Sequence, residues 1–394
     1  MRKLKLKGKD FTYYGFQVLR KPVKWFLKSK LNINLVVNEA QDDKGPFFIT
    51  GNHVTAFDPI ISLVYVKPLV KFVAADANLD NWIKKFFFKL ARVIPIRKRS
   101  SDISTIRRLL DEVKAGNAVG LYPEGGRTWH GETDELISST AKLIKMLGIR
   151  VYSQKLKGAY MSSPRWGKHI YKGRVDVYIE KILTEEDIER MSTNEILDVL
   201  KQELYHNDYE YQREVMTPLK GIDRAEYIER LIFVCPKCER IHTFMSQIDE
   251  FKCKACGKKG RVNQYGFIEG EFPFDNLVDW HHYQMDFLHK YLETNCLDPI
   301  SLYDVRIKQV DEFGNKKKRL GNMIIEQDKV KIEYPDEIIE LDFSKISEPS
   351  ITFKNTLIFY VEKTRYEMVI EPFLHNNASI VYIREVIDLM RRKK

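Results

Sequence analysis

Short apolar runs alternate with amphipathic stretches from residue 31 to about residue 220. The apolar runs predict strands, and the stretches between them carry apolar residues three or four positions apart, which is typical of helices. One such helix is predicted to end at Gly116, and its apolar face consists of Ile103, Ile106, Leu110 and Val113. Strands that alternate with helices predict an α/β domain whose mostly parallel sheet is flanked by helices. The strand candidates are PFFIT, KFVAA, VIPI, AVGLY, VYSQKL and VDVYIE.

The pattern changes in the second half of the chain. Residues 231–273 hold most of the cysteines, and a helical stretch, NLVDWHHYQMDFLHKYLET, follows them. From about residue 300 to 371 short alternating runs separated by turns predict a small antiparallel β domain, and the last residues predict a helix. This β-rich part resembles a pleckstrin-homology or GRAM module. We therefore predict four segments, which are residues 1–30, 31–225, 226–298 and 299–394.

Charge is concentrated at the front of the chain. The 394 residues carry a formal net charge of +10, and 44% of them are apolar, which is normal for a folded protein. Residues 1–30 contain ten Lys and Arg against one acid, Asp10, so this segment alone carries +9. Because aromatic and aliphatic residues are interleaved with the cations, the segment predicts a basic amphipathic arm, split by Pro22 into two short helices, that lies on an anionic membrane surface. The alternative is a surface helix that packs on its own domain.

No apolar run approaches the roughly 18 residues that a membrane span needs. Together with the arm, this predicts a peripheral protein at the cytoplasmic face of a membrane. Four of the five cysteines form two C-x-x-C pairs, which favours metal binding in a reducing compartment over a disulfide framework.

Two polar strings follow predicted strands, where the sites of parallel sheets lie. The first, GNHVTAFDP, follows PFFIT and places His53 and Asp58 five residues apart. Such a pair is either an ordinary polar turn or a proton-handling pair, in which the carboxylate orients the imidazole and stabilises its charged form. The second, YPEGGRT, follows AVGLY. Its glycines let the backbone approach a ligand, and its arginine can bind phosphate or carboxylate with two hydrogen bonds.

In this order the two strings resemble the motifs of the glycerolipid acyltransferase family, which includes the 1-acylglycerol-3-phosphate acyltransferases. The family's first motif, N-H-x-S-x-x-D, corresponds to Asn52–Asp58 with Thr55 at the serine position. Its third motif, E-G-T-R-S, corresponds to Glu124–Thr128. Its second motif, an apolar strand that ends in a basic residue, resembles RVIPIRKR, in which Arg97, Lys98 or Arg99 is the basic member.

The resemblance implies transfer of an acyl chain from acyl-CoA or acyl carrier protein to the hydroxyl of a lysophospholipid. The default acceptor is 1-acylglycerol-3-phosphate, which would give phosphatidic acid. His53 would be the general base, oriented by Asp58, and no metal or redox cofactor is needed because a thioester is already activated. The implied substrate-binding residues are Thr55, Arg97, Arg99, Glu124, Gly125, Gly126 and Arg127.

The cysteines predict a structural zinc ribbon. Cys235, Cys238, Cys253 and Cys256 form a C-x2-C-x14-C-x2-C pattern, which can supply four thiolates to a tetrahedral Zn²⁺. Because ribbons often bind nucleic acid, the alternative function is a non-catalytic zinc-ribbon protein that binds nucleic acid or an anionic membrane. The net positive charge lies mainly in residues 1–30 and not along the ribbon alone, so we expect no nucleic-acid partner.

Overall fold

The computed structural model of the protein describes residues 11–75, 93–96, 103–294, 297–375 and 377–393. The chain forms two compact units. Unit 1 comprises Met1–Pro164 and Ile170–Leu219, and unit 2 comprises Arg165–His169 and Lys220–Lys394. The four segments expected from the sequence stay a prediction.

A mostly parallel seven-stranded sheet organises unit 1. Its strand order is β1-β7-β6-β2-β5-β3-β4, and all neighbouring pairs are parallel except β6 and β7. The mixed α/β fold predicted from the alternating pattern is therefore confirmed. The strands are Ile33–Asn38 (β1), Phe48–Gly51 (β2), Lys71–Ala75 (β3), Ile94–Ile96 (β4), Val119–Gly120 (β5), Val151–Lys157 (β6) and Val175–Leu183 (β7).

Helices of unit 1 pack against this sheet. One core cluster joins Phe48 and Val151 of the sheet to Ile144 and Leu200 of two helices. Gly148 has φ +61° and donates its N–H to the Ile144 carbonyl, so it is a left-handed C-cap. The helices are Phe11–Leu31 (α1), Asp58–Tyr65 (α2), Ile103–Lys114 (α3), Ser139–Leu147 (α4), Ala159–Ser162 (α5), Glu185–Arg190 (α6), Thr193–Leu204 (α7) and Asp208–Val215 (α8).

The arm differs from its prediction. Helix α1 runs through Pro22 without a break, so the expected division into two short helices is wrong. Proline removes one backbone donor, but contacts on both sides of it hold the helix. Arg20 donates to the Val66 carbonyl, and Leu27 and Leu31 are buried. In the described part of the chain, no helix has both the length and the apolar character to cross a membrane.

The first part of unit 2 is a small four-stranded antiparallel sheet followed by a long helix. The strand order is β11-β10-β9-β8. The helix was predicted from NLVDWHHYQMDFLHKYLET, and its Trp280 is fully buried against Phe244 and Phe251 of the sheet. The elements are Phe244–Gln247 (β8), Glu250–Cys253 (β9), Lys259–Val262 (β10), Ile268–Gly270 (β11) and Leu277–Thr294 (α9).

A second antiparallel sheet of seven strands and a C-terminal helix complete unit 2, as the sequence predicts. Its order is β15-β14-β13-β12-β18-β17-β16. The helix begins at an N-cap in which Ser379 accepts from the Tyr382 N–H. The elements are Ile300–Val310 (β12), Lys316–Ile325 (β13), Lys329–Glu333 (β14), Ile338–Asp342 (β15), Ser350–Thr352 (β16), Thr356–Val361 (β17), Thr364–Val369 (β18) and Ile380–Arg392 (α10).

Five residues from the middle of the α/β sequence belong to unit 2. The segment Arg165–His169 has a buried tryptophan, Trp166, whose carbonyl accepts from Arg230 Nη1 at 3.1 Å. Lys354 donates to the Gly167 carbonyl, and Lys168 pairs with Asp223 at 3.0 Å. The chain therefore passes between the two units three times.

Candidate functional site

The loop that follows β2 positions His53. Gly51 ends the strand where a Cβ would lie 2.2 Å from the Gln154 carbonyl oxygen, so only glycine fits there. The buried Asn52 side chain then makes two 2.9 Å hydrogen bonds with the backbone of Leu156 in β6. These contacts fix the point at which the chain leaves the sheet. His53 comes next, at the carboxyl end of the parallel strands, with 21% of its side chain exposed.

His53 and Asp58 form a close pair, as the sequence analysis expects of a proton-handling pair. Nδ1 of His53 lies 2.8 Å from Oδ2 of Asp58, whose side chain is 0% exposed. Because a carboxylate only accepts, the contact requires the hydrogen on Nδ1, which leaves the lone pair on Nε2. The imidazole therefore has the tautomer of a general base.

Backbone donors hold the Asp58 carboxylate in place. It accepts from the Val54 N–H at 2.7 Å and from the Thr55 N–H at 2.9 Å. Asp58 also begins helix α2, where the positive end of the helix dipole favours a negative charge. The carboxylate is thus buried with enough donors to remain where His53 needs it.

Thr55 has a different contact from the one that the resemblance implied. It is fully buried, and its hydroxyl donates to Asp58 Oδ1 at 2.6 Å and accepts from the Phe57 N–H at 3.0 Å. The hydroxyl is therefore engaged in holding Asp58. The signal that the sequence offers for this contact is the short spacing of three residues between Thr55 and Asp58.

Glu124 joins the two motifs through its carboxylate. Oε1 accepts from the His53 N–H at 2.5 Å, and Oε2 accepts from the Asp134 N–H at 3.0 Å. Burial, and then the negative charge of Asp134, raise the pKa of the Glu124 carboxyl well above its usual value. In addition, the Thr128 N–H donates to the His53 carbonyl at 2.9 Å. The third motif is thus bonded directly to the backbone of the catalytic candidate.

The turn between Glu124 and Thr128 carries the two glycines and the arginine. Gly125 has φ +69°, and a Cβ there would lie 2.9 Å from Ile137 Cδ1, so glycine is favoured at this position. Burial lowers the pKa of Arg127, while the charge of Asp58 acts in the opposite direction. The positive charge of Arg127 thus interacts electrostatically with the carboxylate of Asp58. Gly126 precedes it in the same turn.

Two of the expected phosphate-binding residues, Arg97 and Arg99, lie outside the described residues.

The aromatic ring of Tyr122 is a feature of the site that was not predicted from the sequence. It stacks on the imidazole of His53 with a centroid distance of 4.5 Å and an interplanar angle of 19°. A tyrosine beside the P-E-G-G string is the only signal that the sequence offers for this contact.

The four cysteines of the C-x-x-C pairs come together in unit 2. Their Sγ atoms all lie within 4.8 Å of one another, and the pairs Cys235–Cys256 and Cys238–Cys253 are 3.8 Å apart. A tetrahedral site with Zn–S bonds of about 2.3 Å has S–S edges of about 3.8 Å. These two Sγ–Sγ distances thus match the edges of a tetrahedral metal site.

Both C-x-x-C pairs sit in the same kind of turn. The Glu239 N–H donates to the Cys235 carbonyl at 2.8 Å, and the Gly257 N–H donates to the Cys253 carbonyl at 2.9 Å. Glu239 and Gly257 occupy equivalent left-handed positions, with φ +57° and +76°. Two matched turns that point four thiols at one centre are what a closed tetrahedral site requires.

Comparisons with known proteins give a family match within unit 1. Residues 32–155 match the family model described as Acyltransferase, and this range contains His53, Asp58, Glu124 and Arg127. A similar solved structure is that of the 1-acyl-sn-glycerophosphate (LPA) acyltransferase PlsC from Thermotoga maritima. Its TM-score is 0.44 at 15% identity, and the match covers 52% of this chain and 81% of that one. A comparison with curated proteins gives no match. The family match over residues 32–155 thus supports an acyltransferase domain in this chain.

Proposed function

We propose that this protein transfers an acyl chain from a thioester donor, acyl-CoA or acyl carrier protein, to the hydroxyl of a lysophospholipid. The acceptor that we favour is 1-acylglycerol-3-phosphate, and the product is then phosphatidic acid. The observation that carries the proposal is the 2.8 Å contact between His53 and the buried Asp58, inside the range that matches the Acyltransferase family.

The chemistry needs one base and a buried counter-charge. Nε2 of His53 takes the proton of the acceptor hydroxyl while its oxygen attacks the thioester carbonyl carbon. The C–O bond forms, the C–S bond breaks, and the imidazolium returns the proton to the departing thiolate. Asp58 stabilises that imidazolium, and base catalysis of this kind typically contributes ~10²–10⁴-fold.

Acceptor recognition is assigned to the cation beside the pair. An arginine binds phosphate oxygens with two hydrogen bonds, and the charge of Arg127 interacts with that of Asp58. In the proposal, Arg97 and Arg99 add further contacts to the acceptor phosphate. Glu124 holds the His53 backbone through its carboxylate, so we assign it a positioning role, while Gly125 and Gly126 let the turn approach the acceptor.

Helix α1 is the proposed contact with the bilayer that contains the acceptor. Val18 and Trp25 are 75% and 72% exposed, and they lie on the side of the helix opposite the buried Leu27. Lys21 and Lys28, both exposed, flank that side. Phe26, which is 42% exposed, lies beside Phe57, the residue before Asp58, with ring centroids 6.4 Å apart. The protein would thus lie peripherally on an anionic surface, at the cytoplasmic face.

In unit 2 we propose a structural Zn²⁺ held by Cys235, Cys238, Cys253 and Cys256. Four protein ligands complete a tetrahedral shell, so this ion would stabilise the fold and would take no part in acyl transfer. The assay for the site is zinc content by mass spectrometry, with one equivalent expected for the intact protein and less than a tenth of that for Cys238→Ser.

The deciding experiment is thiol release from acyl-CoA in the presence of a panel of lysophospholipids. We expect turnover with 1-acylglycerol-3-phosphate, and a loss of about 10²-fold or more in His53→Ala. Exposed His169 provides a matched control, because His169→Ala removes an imidazole that lies in unit 2. Absence of thiol release from the wild type with acyl-CoA and with acyl carrier protein, across the whole panel, would exclude the function.

The membrane contact has a separate test, vesicle flotation. Val18→Glu with Trp25→Glu is expected to abolish flotation with anionic vesicles, because both carboxylates would enter the bilayer interface. Met146→Glu places the same charge on another exposed apolar residue of unit 1 and is expected to float normally. Equal flotation of the two proteins would reject α1 as the contact.

A further inference from the structure

Three parallel rings lie side by side at the candidate site. Tyr122 is in the middle, with His53 at 4.5 Å on one side and Phe72 at 5.7 Å on the other, and the interplanar angles are 19° and 9°. Phe72 lies in β3, and His53 and Tyr122 follow the ends of β2 and β5; the three rings meet because β5 lies between β2 and β3 in the sheet. Gly120 leaves space for them, since a Cβ there would lie 2.8 Å from Phe72 Cε1.

The hydroxyl of Tyr122 is tied to the helix that carries Asp58. Gln154 Nε2 donates to the Tyr122 hydroxyl at 3.3 Å and to the Asp58 carbonyl at 3.0 Å. Gln154 Oε1 accepts from the Ser62 hydroxyl at 2.6 Å. Burial raises the pKa of Tyr122 well above its usual value, and the charge of Asp58 adds to this. The phenol is therefore neutral near pH 7 and is held at both its face and its edge.

We propose that Tyr122 is a positioning residue whose ring face holds the imidazole of His53 and stabilises the imidazolium that forms during acyl transfer. The inference rests on the proposed function for its catalytic consequence. Its physical basis is the negative face of an aromatic ring, which attracts a cation stacked on it. Asp58 stabilises the same cation in the plane of the imidazole, and Tyr122 acts from above that plane.

Among the described residues, charged groups that bond to His53 or interact with Asp58 include Asp58 itself at the start of α2, and Glu124 and Arg127 in the loop that also contains Tyr122. All three are retained when the ring of Tyr122 alone is changed. A series of phenylalanine analogues at position 122 with zero, one, two and three ring fluorines isolates the ring, because fluorine withdraws charge from its face and adds little volume.

The first measurement is an NMR titration of His53 in protein with ¹³C-labelled histidine, without substrate. His53→Ala assigns the signal. We expect the midpoint for His53 to fall steadily with fluorine number, by about 0.5 pH unit over the series. A midpoint that does not change across the series would overturn the proposal, whether or not the protein is an acyltransferase.

The second measurement is turnover. Tyr122→Phe keeps the ring face and is expected to retain most of the wild-type kcat, whereas added fluorine lowers kcat by about 2- to 5-fold at constant KM. Tyr122→Leu, which also removes the stacking surface, is expected to lose at least as much. Falling NMR midpoints together with an unchanged kcat would overturn the catalytic role. If the wild type releases no thiol, the proposed function fails. The titration alone then tests whether the ring of Tyr122 stabilises the charged imidazole of His53.

Discussion

The substitution Asp58→Asn tests the counter-charge with the smallest change in shape. The carboxylate accepts hydrogen bonds on both oxygens, from His53 and Val54 on Oδ2 and from the Thr55 hydroxyl on Oδ1. An amide has one oxygen and one NH₂ group. If its oxygen takes the place of Oδ2, the geometry survives and the negative charge is lost. If its NH₂ takes that place, it faces the Val54 N–H, and His53 must carry its hydrogen on Nε2.

Both arrangements weaken His53 as a base and so lower turnover, and the second arrangement also lowers the stability of the fold. Turnover is expected to fall by about 10²–10⁴-fold, which equals roughly 3–5 kcal/mol of activation free energy. The second arrangement also leaves a buried donor without an acceptor, which lowers the free energy of unfolding by about 1–3 kcal/mol. Because Asp58 does not touch the thioester in the proposed mechanism, KM for the donor is expected to stay within about twofold.

The assay is the initial rate of thiol release with acyl-CoA and 1-acylglycerol-3-phosphate, on protein whose fold is checked by circular dichroism. Asp42→Asn is the matched control, since it makes the same charge change on a side chain that is 76% exposed. A folded Asp58→Asn protein that works at the wild-type rate would show that no buried charge assists the imidazole, and the mechanism would have to be abandoned.

Unit 2 offers three tests that need no substrate. Removal of metal with a chelator is expected to lower the unfolding temperature seen by tryptophan fluorescence, and Cys238→Ser should show the lower value without chelator. Glu239→Gly is expected to raise the free energy of unfolding by about 0.5–1 kcal/mol in urea, because it relieves φ +57°, whereas Lys237→Gly should lower it. Burial lowers the pKa of His242 to about 4, and both ring nitrogens lack hydrogen-bond partners in the described part of the chain. The unfolded state therefore binds the extra proton between about pH 6.5 and 4. Above about pH 6.5, His242 should not affect the free energy of unfolding. As the pH is lowered from about 6.5 to 4, that free energy should fall by about 3 kcal/mol. The His242→Phe variant should not show this fall.

The parts of the site that sequence predicts are those that depend on local order along the chain. His53 and Asp58 lie five residues apart on a turn, so their pairing follows from the spacing, and the 2.8 Å contact agrees with it. The alternating pattern likewise predicts the α/β fold, because hydrophobic periodicity reflects which face of each element is buried.

The parts that sequence did not predict depend on which strands are neighbours. Tyr122 meets His53 only because β5 lies beside β2 in the sheet, and Gln154 reaches Asp58 only because β6 lies on the other side of β2. No spacing along the chain encodes either contact. Helix α1 continues through Pro22 for the same reason, since long-range contacts such as that of Arg20 with Val66 outweigh a local preference.

The segment Arg165–His169 has a consequence for how this protein can be divided. A fragment that stops at Leu219 would retain the whole acyltransferase-like region, yet it would expose Trp166, which is 3% exposed in the intact chain. The complementary fragment from Lys220 would lack the backbone carbonyls that Arg230 and Lys354 bind. A cut at residue 219 therefore leaves both fragments without contacts that the intact chain makes. The part after residue 219 cannot be deleted or exchanged between proteins without also changing residues 165–169.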